Sequence, residues 1–239
     1  MGLTAFSSWG SLAGAANWPI NDWGLSAGLV ILWLGLIGGA SELARRGGYG
    51  PELTRKIVHI GAGQVILLAW WRQIPAWMGM TAAVVAAIVA LISYRLPILP
   101  GVNGIGRRSL GTFFYAISIG VVVAWFWPQQ PYYGVIGILI MSWGDGLAAL
   151  VGQRWGRHPY QVLGQQKSWE GSLAMLGVSF AIALFVLLSI QGSTWQTWIV
   201  AIVTALVATA LETISQFGID NLTVPLGAAA VALYLNQLW

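Results

Sequence analysis

The chain has 239 residues, of which 57% are hydrophobic and only 8% charged, and its formal net charge is +4. Soluble domains carry about 25% charged residues, so this composition excludes an ordinary soluble enzyme and indicates a membrane protein. The absence of cysteine excludes disulfide bonds and thiolate metal sites.

The first 20 residues contain no charged side chain. A secretory signal peptide begins with a positively charged region, so this segment does not have the pattern of one. We expect residues 1–22 to form a tail on the outer face of the membrane and residues 23–239 to form one integral membrane domain.

Eight apolar runs are predicted to be membrane-spanning helices, because each approaches the roughly 20 residues that cross a bilayer as a helix. The predicted fold is therefore an all-α, polytopic helix bundle. Pro225 and Gly227 interrupt the last run, which leaves seven spans if that run is re-entrant. The predicted spans are 23–44, 53–71, 75–96, 108–127, 132–152, 168–191, 195–217 and 220–238.

The basic residues have a one-sided distribution on this span count. Ten of the eleven lie in alternate loops or at the span ends beside those loops, and only Arg72 lies in an opposite loop. By the positive-inside rule, the basic loops face the cytoplasm and both termini face outward. Six of the seven acidic residues lie on the same cytoplasmic side, and only Asp22 lies outside.

Asp145 lies inside an apolar run, where a charge costs about 2.5–3.5 kcal/mol on insertion scales. At helical spacing it shares one face with Ser142, Ala149 and Gly152, which are all small residues. That pattern indicates a functional acid close to a ligand. The alternative is a packing face whose acid is paired with a neighbouring arginine.

The loop that follows carries Arg154, Arg157 and Lys167, and then Ser168 is a predicted helix N-cap with Glu170 in the first turn. A helix N-terminus next to a lysine suits a phosphate group. The alternative for Lys167 is an ordinary cation that flanks the membrane.

A third charged group lies in the stretch GGYGPELTRKIVHIGAG. Pro51 suits the first position of a helix, on which Arg55, Lys56 and His59 share a face. These groups are suited to contact a polyphosphate, whereas a lone histidine more often makes a structural hydrogen bond.

The fourth group is Glu212, in the last turns of a span, with Asp220 and Asn221 at the turn that follows. Their oxygen atoms suit Mg²⁺, which prefers a few carboxylates together with substrate phosphates and water. The alternative for Asp220 and Asn221 is a turn or capping pair. Together the four groups predict one site, in which a membrane enzyme acts on a lipid and a nucleotide.

Four motifs, TRKIVHIGAG, GDGLAALVGQRWGR, KSWEGS and ETISQFGIDNLTVPL, occur in the order found in the polyprenol kinase family. The chain resembles this family, which includes dolichol, farnesol and phytol kinases, over residues 54–226. The last motif looks most like that of the phytol kinases of cyanobacteria and plastids. The resemblance implies an integral membrane kinase domain over residues 23–239.

The related CDP-diacylglycerol synthases share two of these motifs, so those two do not separate the families. The synthases carry D-R-x-x-D near the C-terminus, where this chain reads DNLTV. Asn221 replaces the arginine and Val224 replaces the second aspartate, which favours the kinases. A CTP-dependent phosphatidate cytidylyltransferase is therefore the alternative enzyme.

The resemblance implies transfer of the γ-phosphoryl group of CTP, or of another nucleoside triphosphate, to phytol or a similar prenyl alcohol. It implies Mg²⁺ ligation by Asp145 and Asp220 with Glu212 nearby. Glu170 would orient Lys167 or bind the metal.

The catalytic assignments are Asp145, Lys167, Glu170 and His59, with Asp145 the first choice of base and His59 the second. The nucleotide-binding assignments are Arg55, Lys56, Arg154, Arg157, Lys167, Ser168 and Asn221.

A phytol kinase of this kind would act in tocopherol biosynthesis, in a bacterial and specifically cyanobacterial inner or thylakoid membrane, with its site on the cytoplasmic face. Its partners would be the alcohol, the nucleotide and membrane lipids, with no nucleic acid, and the oligomeric state is left open. A transporter and a scaffold protein are the non-enzyme alternatives. The charges gather at one face instead of crossing the membrane, which disfavours a transporter.

Overall fold

A computed structural model describes residues 23–94, 96 and 110–238. The predicted outer tail, the three arginines between the third and fourth predicted spans, and the ends of those spans lie outside the described residues. Their arrangement therefore stays a prediction.

The described residues form α-helices, one π-helical segment (Ile140–Asp145) and one antiparallel hairpin, β1 (Pro159–Val162) and β2 (Gln165–Ser168). The α-helices are α1 (Trp23–Arg46), α2 (Pro51–Gly63), α3 (Val65–Trp71), α4 (Ala76–Ser93), α5 (Gly111–Phe126), α6 (Pro131–Leu139), α7 (Gly146–Trp155), α8 (Trp169–Gln191), α9 (Trp195–Ile214) and α10 (Asp220–Asn236).

The prediction of an all-α membrane bundle is confirmed, because each of the eight apolar runs is helical over most of its described residues. Five helices in the described part of the chain are long and apolar enough to cross a membrane. They are Trp23–Arg46, Ala76–Ser93, Pro131–Trp155, Trp169–Gln191 and Trp195–Ile214. α5 is a shorter apolar helix, and the second run is divided at Gln64 into α2 and α3. The number of spans and their sidedness stay predictions.

The segment Pro131–Trp155 is the centre of the bundle and the most buried of the five long helices. It packs against α2, α5, α8 and α10. Gly137 allows α6 to approach α10 closely, since a Cβ atom there would lie only 3.1 Å from Cβ of Ala229. Central placement of this segment puts Asp145 among several other helices.

The prediction that Pro225 and Gly227 interrupt the last run is wrong. α10 is one helix from Asp220 to Asn236, with Pro225 inside it. Neighbouring helices in membrane proteins can satisfy the backbone groups that a proline leaves unpaired. Pro225 is buried, and its carbonyl lies beside Gly137 of α6, so the packing holds the helix through the proline.

The π-helical segment changes the face that was predicted around Asp145. A π-helix holds more residues in each turn than an α-helix, so Ser142 and Asp145 are not related by α-helical spacing. Gly152, two turns after Asp145, faces the start of α8, where a Cβ atom would lie 3.0 Å from Oγ of Ser168. The glycine therefore serves close packing, and only the acid of the predicted face faces other charged groups.

The hairpin lies within the loop that was predicted between α7 and α8. A two-residue turn at Leu163 and Gly164 joins its strands, and both residues have positive φ angles, 50° and 78°. The prediction that Ser168 is an N-cap is confirmed, because its Oγ accepts a hydrogen bond from the backbone N–H of Gly171 at 3.1 Å. The hairpin thus fixes Lys167 immediately before α8.

Candidate active site

The centre of the site is a buried ion pair between α2 and the π-helical segment. Nζ of Lys56 lies 2.5 Å from Oδ2 of Asp145 and 3.3 Å from the backbone carbonyl oxygen of Asp145. Only 1% of the Lys56 side chain is exposed. A buried acid and a buried base are each costly alone, so each of them requires the other. Asp145 is therefore paired with a lysine. The alternative interpretation, a packing face, expected a neighbouring arginine as its partner.

His59 lies one turn further along α2 and contacts the same carboxylate. Its Nε2 is 3.4 Å from Oδ2 of Asp145 and 3.3 Å from the backbone carbonyl oxygen of Met141. The ring of His59 packs on the ring of Tyr115, with centroids 4.6 Å apart. These contacts hold the imidazole in one place beside the acid.

A second buried pair joins the hairpin to the end of α9. Nζ of Lys167 contacts the Glu212 carboxylate and donates to the Glu212 backbone carbonyl at 2.5 Å. Both side chains are mostly buried. A membrane-flanking lysine would extend into water, so this geometry does not fit that alternative.

The two pairs and Asp220 belong to one electrostatic cluster. Asp220 interacts electrostatically with Asp145, Lys56 and Glu212, and Glu212 interacts with Asp145 and Lys56 in the same way. These groups come from α2, the π-helical segment, α9 and α10. Together with Lys167, the structure brings the four charged motifs to one end of the bundle.

Arg55 forms a further ion pair with Glu52 in the first turn of α2, where Pro51 occupies the first position as predicted. Nη2 of Arg55 lies 2.5 Å from Oε1 of Glu52. Burial alone would raise the pKa of the Glu52 carboxyl, but the hydrogen bond and charge of Arg55 hold that pKa below its usual value. Arg55 also interacts with Asp145 and Asp220, so its charge belongs to the same cluster.

Glu170 has a different partner from the one predicted. Its Oε1 lies 2.6 Å from Nδ1 of His158, and its other oxygen accepts from the His158 backbone N–H at 3.4 Å. The carboxylate partner of Lys167 is Glu212, so Glu170 does not orient Lys167. Glu170 instead anchors the base of the hairpin, because the first turn of α8 faces back toward the strand that begins after His158.

The other predicted nucleotide-binding residues differ in their surroundings. Arg154 and Arg157 are exposed at the end of α7, and the guanidinium of Arg154 lies 5.6 Å from the centre of the Trp155 ring. The side-chain amide of Asn221 donates to the Gly218 carbonyl and to Oδ1 of Asp220, both at 3.2 Å. Asp220 and Asn221 thus form the turn pair that the alternative interpretation expected. The contact also orients the Asp220 carboxylate.

Two residues of the site were missed in the sequence. Glu52 precedes Arg55 by three residues, and that spacing was a usable signal for an ion pair on a helix. Tyr115 lies in an apolar helix, and nothing in the sequence around it indicates contact with His59.

The metal assignment stays a prediction. Within the described ranges, no group of three or more His, Asp or Glu side chains forms a candidate metal site. Mg²⁺ is often held by only one or two carboxylates and completed by substrate phosphates, which is compatible with paired acids of this kind.

Comparisons with known proteins show the family to which the chain belongs. Residues 23–218 match the model of the Cytidylyltransferase family. The chain is 52% identical over 217 residues to the phytol kinase of Synechocystis sp.. The matched segment covers 90% of this chain and 93% of that protein. The chain is 31% identical to the chloroplastic phytol kinase 1 of Arabidopsis thaliana, over 95% of this chain and 80% of the relative. A probable chloroplastic phytol kinase of Triticum aestivum is 30% identical, over 95% of this chain and 83% of that protein. No solved structure matches the chain.

The match to the family model ends before the DNLTV segment, where the sequence departs from the synthases. These three relatives match 90% or more of the chain and are named as phytol kinases, so the resemblance inferred from the four motifs is confirmed. Within the wider Cytidylyltransferase family, the chain therefore belongs to the phytol kinases.

Proposed function

We propose that this chain transfers the γ-phosphoryl group of CTP to phytol or a similar prenyl alcohol and releases a prenyl monophosphate and CDP. The observation that carries the proposal is the meeting of four charged motifs around two lysine–carboxylate pairs, in a chain 52% identical to a phytol kinase.

Phosphoryl transfer depends on positioning and charge neutralisation more than on covalent chemistry. Lys56 and Lys167 each hold a carboxylate, and Arg55 holds Glu52. A bound triphosphate presents oxygens that compete for the same ammonium and guanidinium groups. When the nucleotide binds, its phosphate oxygens replace the carboxylates as partners of the two lysines. The buried cations therefore keep a negatively charged partner throughout.

Asp145, Glu212 and Asp220 are the residues that would hold Mg²⁺, which would neutralise charge on the transferred phosphoryl group. The hydrogen bond from Lys56 and the contact from His59 both go to Oδ2 of Asp145, and neither uses Oδ1. The donor set therefore suits a hard cation.

The alcohol hydroxyl must lose a proton when its oxygen bonds to phosphorus. Asp145 is our first choice to accept that proton and His59 our second, since the two groups are adjacent and lie at the same end of the bundle. Either group would also orient the hydroxyl for attack.

We place the site on the cytoplasmic face of a multi-pass protein in a cyanobacterial inner or thylakoid membrane. The one-sided basic loops and the similarity to the Synechocystis protein support this placement. A role in tocopherol biosynthesis rests on the same similarity.

The test uses purified protein reconstituted in liposomes, a set of prenyl alcohols of increasing length, and the four γ-labelled nucleoside triphosphates, with and without Mg²⁺. We expect label in a prenyl monophosphate with phytol and CTP as the preferred pair and with Mg²⁺ required. Failure of every alcohol to accept label would refute the proposal.

The second candidate is a CTP-dependent phosphatidate cytidylyltransferase, which the match to the Cytidylyltransferase family model favours. That enzyme releases pyrophosphate and makes a CDP-lipid, whereas the kinase releases CDP. Supplying phosphatidate in place of the alcohol and measuring pyrophosphate separates the two activities.

A further inference from the structure

The segment that joins α9 to α10 runs between two acids of the charged cluster. Glu212 lies in the last turn of α9, and Asp220 is the first residue of α10. At Ser215 the backbone leaves the helix, with a ψ angle of 145°, and its N–H donates to the Glu212 carbonyl at 3.2 Å. Nζ of Lys167 donates to the same carbonyl oxygen at 2.5 Å. Ser215 therefore lies directly beside the Lys167–Glu212 pair.

The side chain of Ser215 is turned into the protein. Ser215 is only 7% exposed, whereas its neighbours Ile214, Phe217 and Ile219 are 55%, 72% and 41% exposed. The segment thus has a buried side and an exposed side, and the serine is on the buried one. Its hydroxyl is enclosed at the end of the bundle where the charged cluster lies.

The Ser215 hydroxyl is buried without a hydrogen-bond partner among the described residues. A hydroxyl on a helix is commonly satisfied by a carbonyl one turn back, as for Thr209 on α9, which donates to the Ala205 carbonyl at 2.8 Å. Ser215 makes no such bond. A buried polar group without a partner is costly, so alanine would be more favourable at this position unless the hydroxyl binds a ligand.

Position separates Ser215 from the other buried hydroxyls of this kind. Within the described ranges, four further residues have a buried side-chain oxygen without a hydrogen-bond partner: Tyr94, Tyr115, Ser179 and Thr204. Thr204 is on α9 but precedes Glu212 by eight residues, which is about 12 Å of helical rise. Of these five residues, Ser215 is the one whose backbone binds the carbonyl oxygen that Lys167 also binds.

We infer that the Ser215 hydroxyl donates a hydrogen bond to a phosphate oxygen of the nucleoside triphosphate, next to the oxygen that Lys167 binds. The ammonium of Lys167 can only donate hydrogen bonds, and a serine hydroxyl can donate one. Two adjacent donors suit the acceptor oxygens of a phosphate chain. The inference rests on the proposed function, in which phosphate replaces Glu212 as the partner of Lys167, and it adds a neutral residue to the nucleotide site.

Equilibrium binding tests the contact without turnover. The full chain is titrated in detergent, with Mg²⁺ and without alcohol, with CTP and separately with inorganic triphosphate. Ser215→Ala should weaken the binding of both ligands about tenfold or more, because a hydrogen bond to a charged group is lost. Its unfolding temperature without ligand should equal or exceed that of wild type, because the variant removes a hydroxyl that has no partner in the fold.

Thr204→Val is the matched control for this variant. It also removes a buried hydroxyl without a hydrogen-bond partner, from a position within α9, and it changes the side-chain volume little. It should keep or raise the unfolding temperature, as Ser215→Ala does, and it should bind both ligands as wild type does.

Kinetics with each substrate varied in turn give a second readout. Ser215→Ala should raise the KM for CTP about tenfold or more and leave the KM for phytol unchanged. A rise in the KM for phytol alone would assign the hydroxyl to the alcohol and overturn the inference. Unchanged binding of inorganic triphosphate would overturn it too. A lower unfolding temperature of Ser215→Ala would mean that the hydroxyl stabilises the fold, which also contradicts the inference.

The two proposals fail separately. Wild-type protein that binds CTP more tightly than Ser215→Ala but phosphorylates no alcohol contradicts the proposed function. Active wild-type protein whose affinity for CTP is unchanged in Ser215→Ala contradicts only the Ser215 contact.

Discussion

Nζ of Lys56 lies 2.5 Å from Oδ2 of Asp145, although 89 residues separate the two in the chain. The pair fastens α2 to the central segment of the bundle at the point where that segment is π-helical. π-Helical turns are frequent at functional sites. The same contact therefore has a structural consequence and a chemical one, and the two can be measured separately.

Lys56→Met keeps most of the alkyl stem and removes the charge. It leaves the Asp145 carboxylate buried without its cation, so we expect a loss of about 3–5 kcal/mol in unfolding free energy. Thermal unfolding in detergent measures this loss.

The double variant Lys56→Met/Asp145→Asn provides the control, because it removes both charges. It should recover most of the stability of Lys56→Met and none of the activity. Equal stability of Lys56→Met and wild type would show that the pair contributes nothing to the fold.

Asp145→Asn removes one charge and little volume. If Asp145 is a metal ligand or the base, kcat should fall at least about a hundredfold, as for other removed acid–base groups. Initial rates across a range of Mg²⁺ concentrations distinguish the two roles, since added Mg²⁺ partly restores a weakened metal site but not a missing base. Near-normal turnover would remove Asp145 from the site.

Lys167→Met should lower kcat/KM for CTP at least tenfold and change the alcohol KM little. Charge-assisted hydrogen bonds are worth roughly 1.5–3 kcal/mol, and about 1.4 kcal/mol corresponds to a factor of ten. Steady-state kinetics with each substrate varied in turn provides the measurement.

The matched control for this variant is Lys167→Met/Glu212→Gln, which neutralises the partner as well. If Lys167 only neutralises Glu212, the double variant should regain the wild-type KM for CTP, even though loss of Glu212, a proposed Mg²⁺ ligand, lowers kcat. Our account expects no recovery, because the phosphate contact is still missing.

The topology prediction uses a chain that contains no cysteine. Gln165 is exposed in the hairpin and Gln129 is exposed between α5 and α6. Single cysteines at these positions should react with an impermeant thiol reagent from opposite sides of the membrane. The unmodified chain is the control, and reaction of both positions from one side would refute the predicted sidedness.

Apolar run length and local signals predicted the helices well. Pro51 and Ser168 mark helix starts through local chemistry, a fixed φ angle and a side-chain cap, and both predictions hold in the structure. The assumption that Pro225 interrupts its run failed, because packing against α6 decides that helix and packing is not a local property.

The pairing of side chains at the candidate site was harder to predict than the candidate residues themselves. Charge placement and family resemblance selected Asp145, Lys167 and Glu212, but the pairing of each acid with one lysine depends on how distant helices pack. The π-helical segment was missed for the same reason, since the run around Asp145 has an ordinary apolar pattern.

The most direct test of the central claim is the fate of two labels in parallel reactions with phytol, one containing CTP labelled at the γ-phosphorus and one containing CTP labelled at the α-phosphorus. Our account predicts that γ-label enters a prenyl monophosphate, that α-label stays in CDP, and that Asp145→Asn transfers neither. Transfer of α-label into a lipid, with release of pyrophosphate, would contradict it.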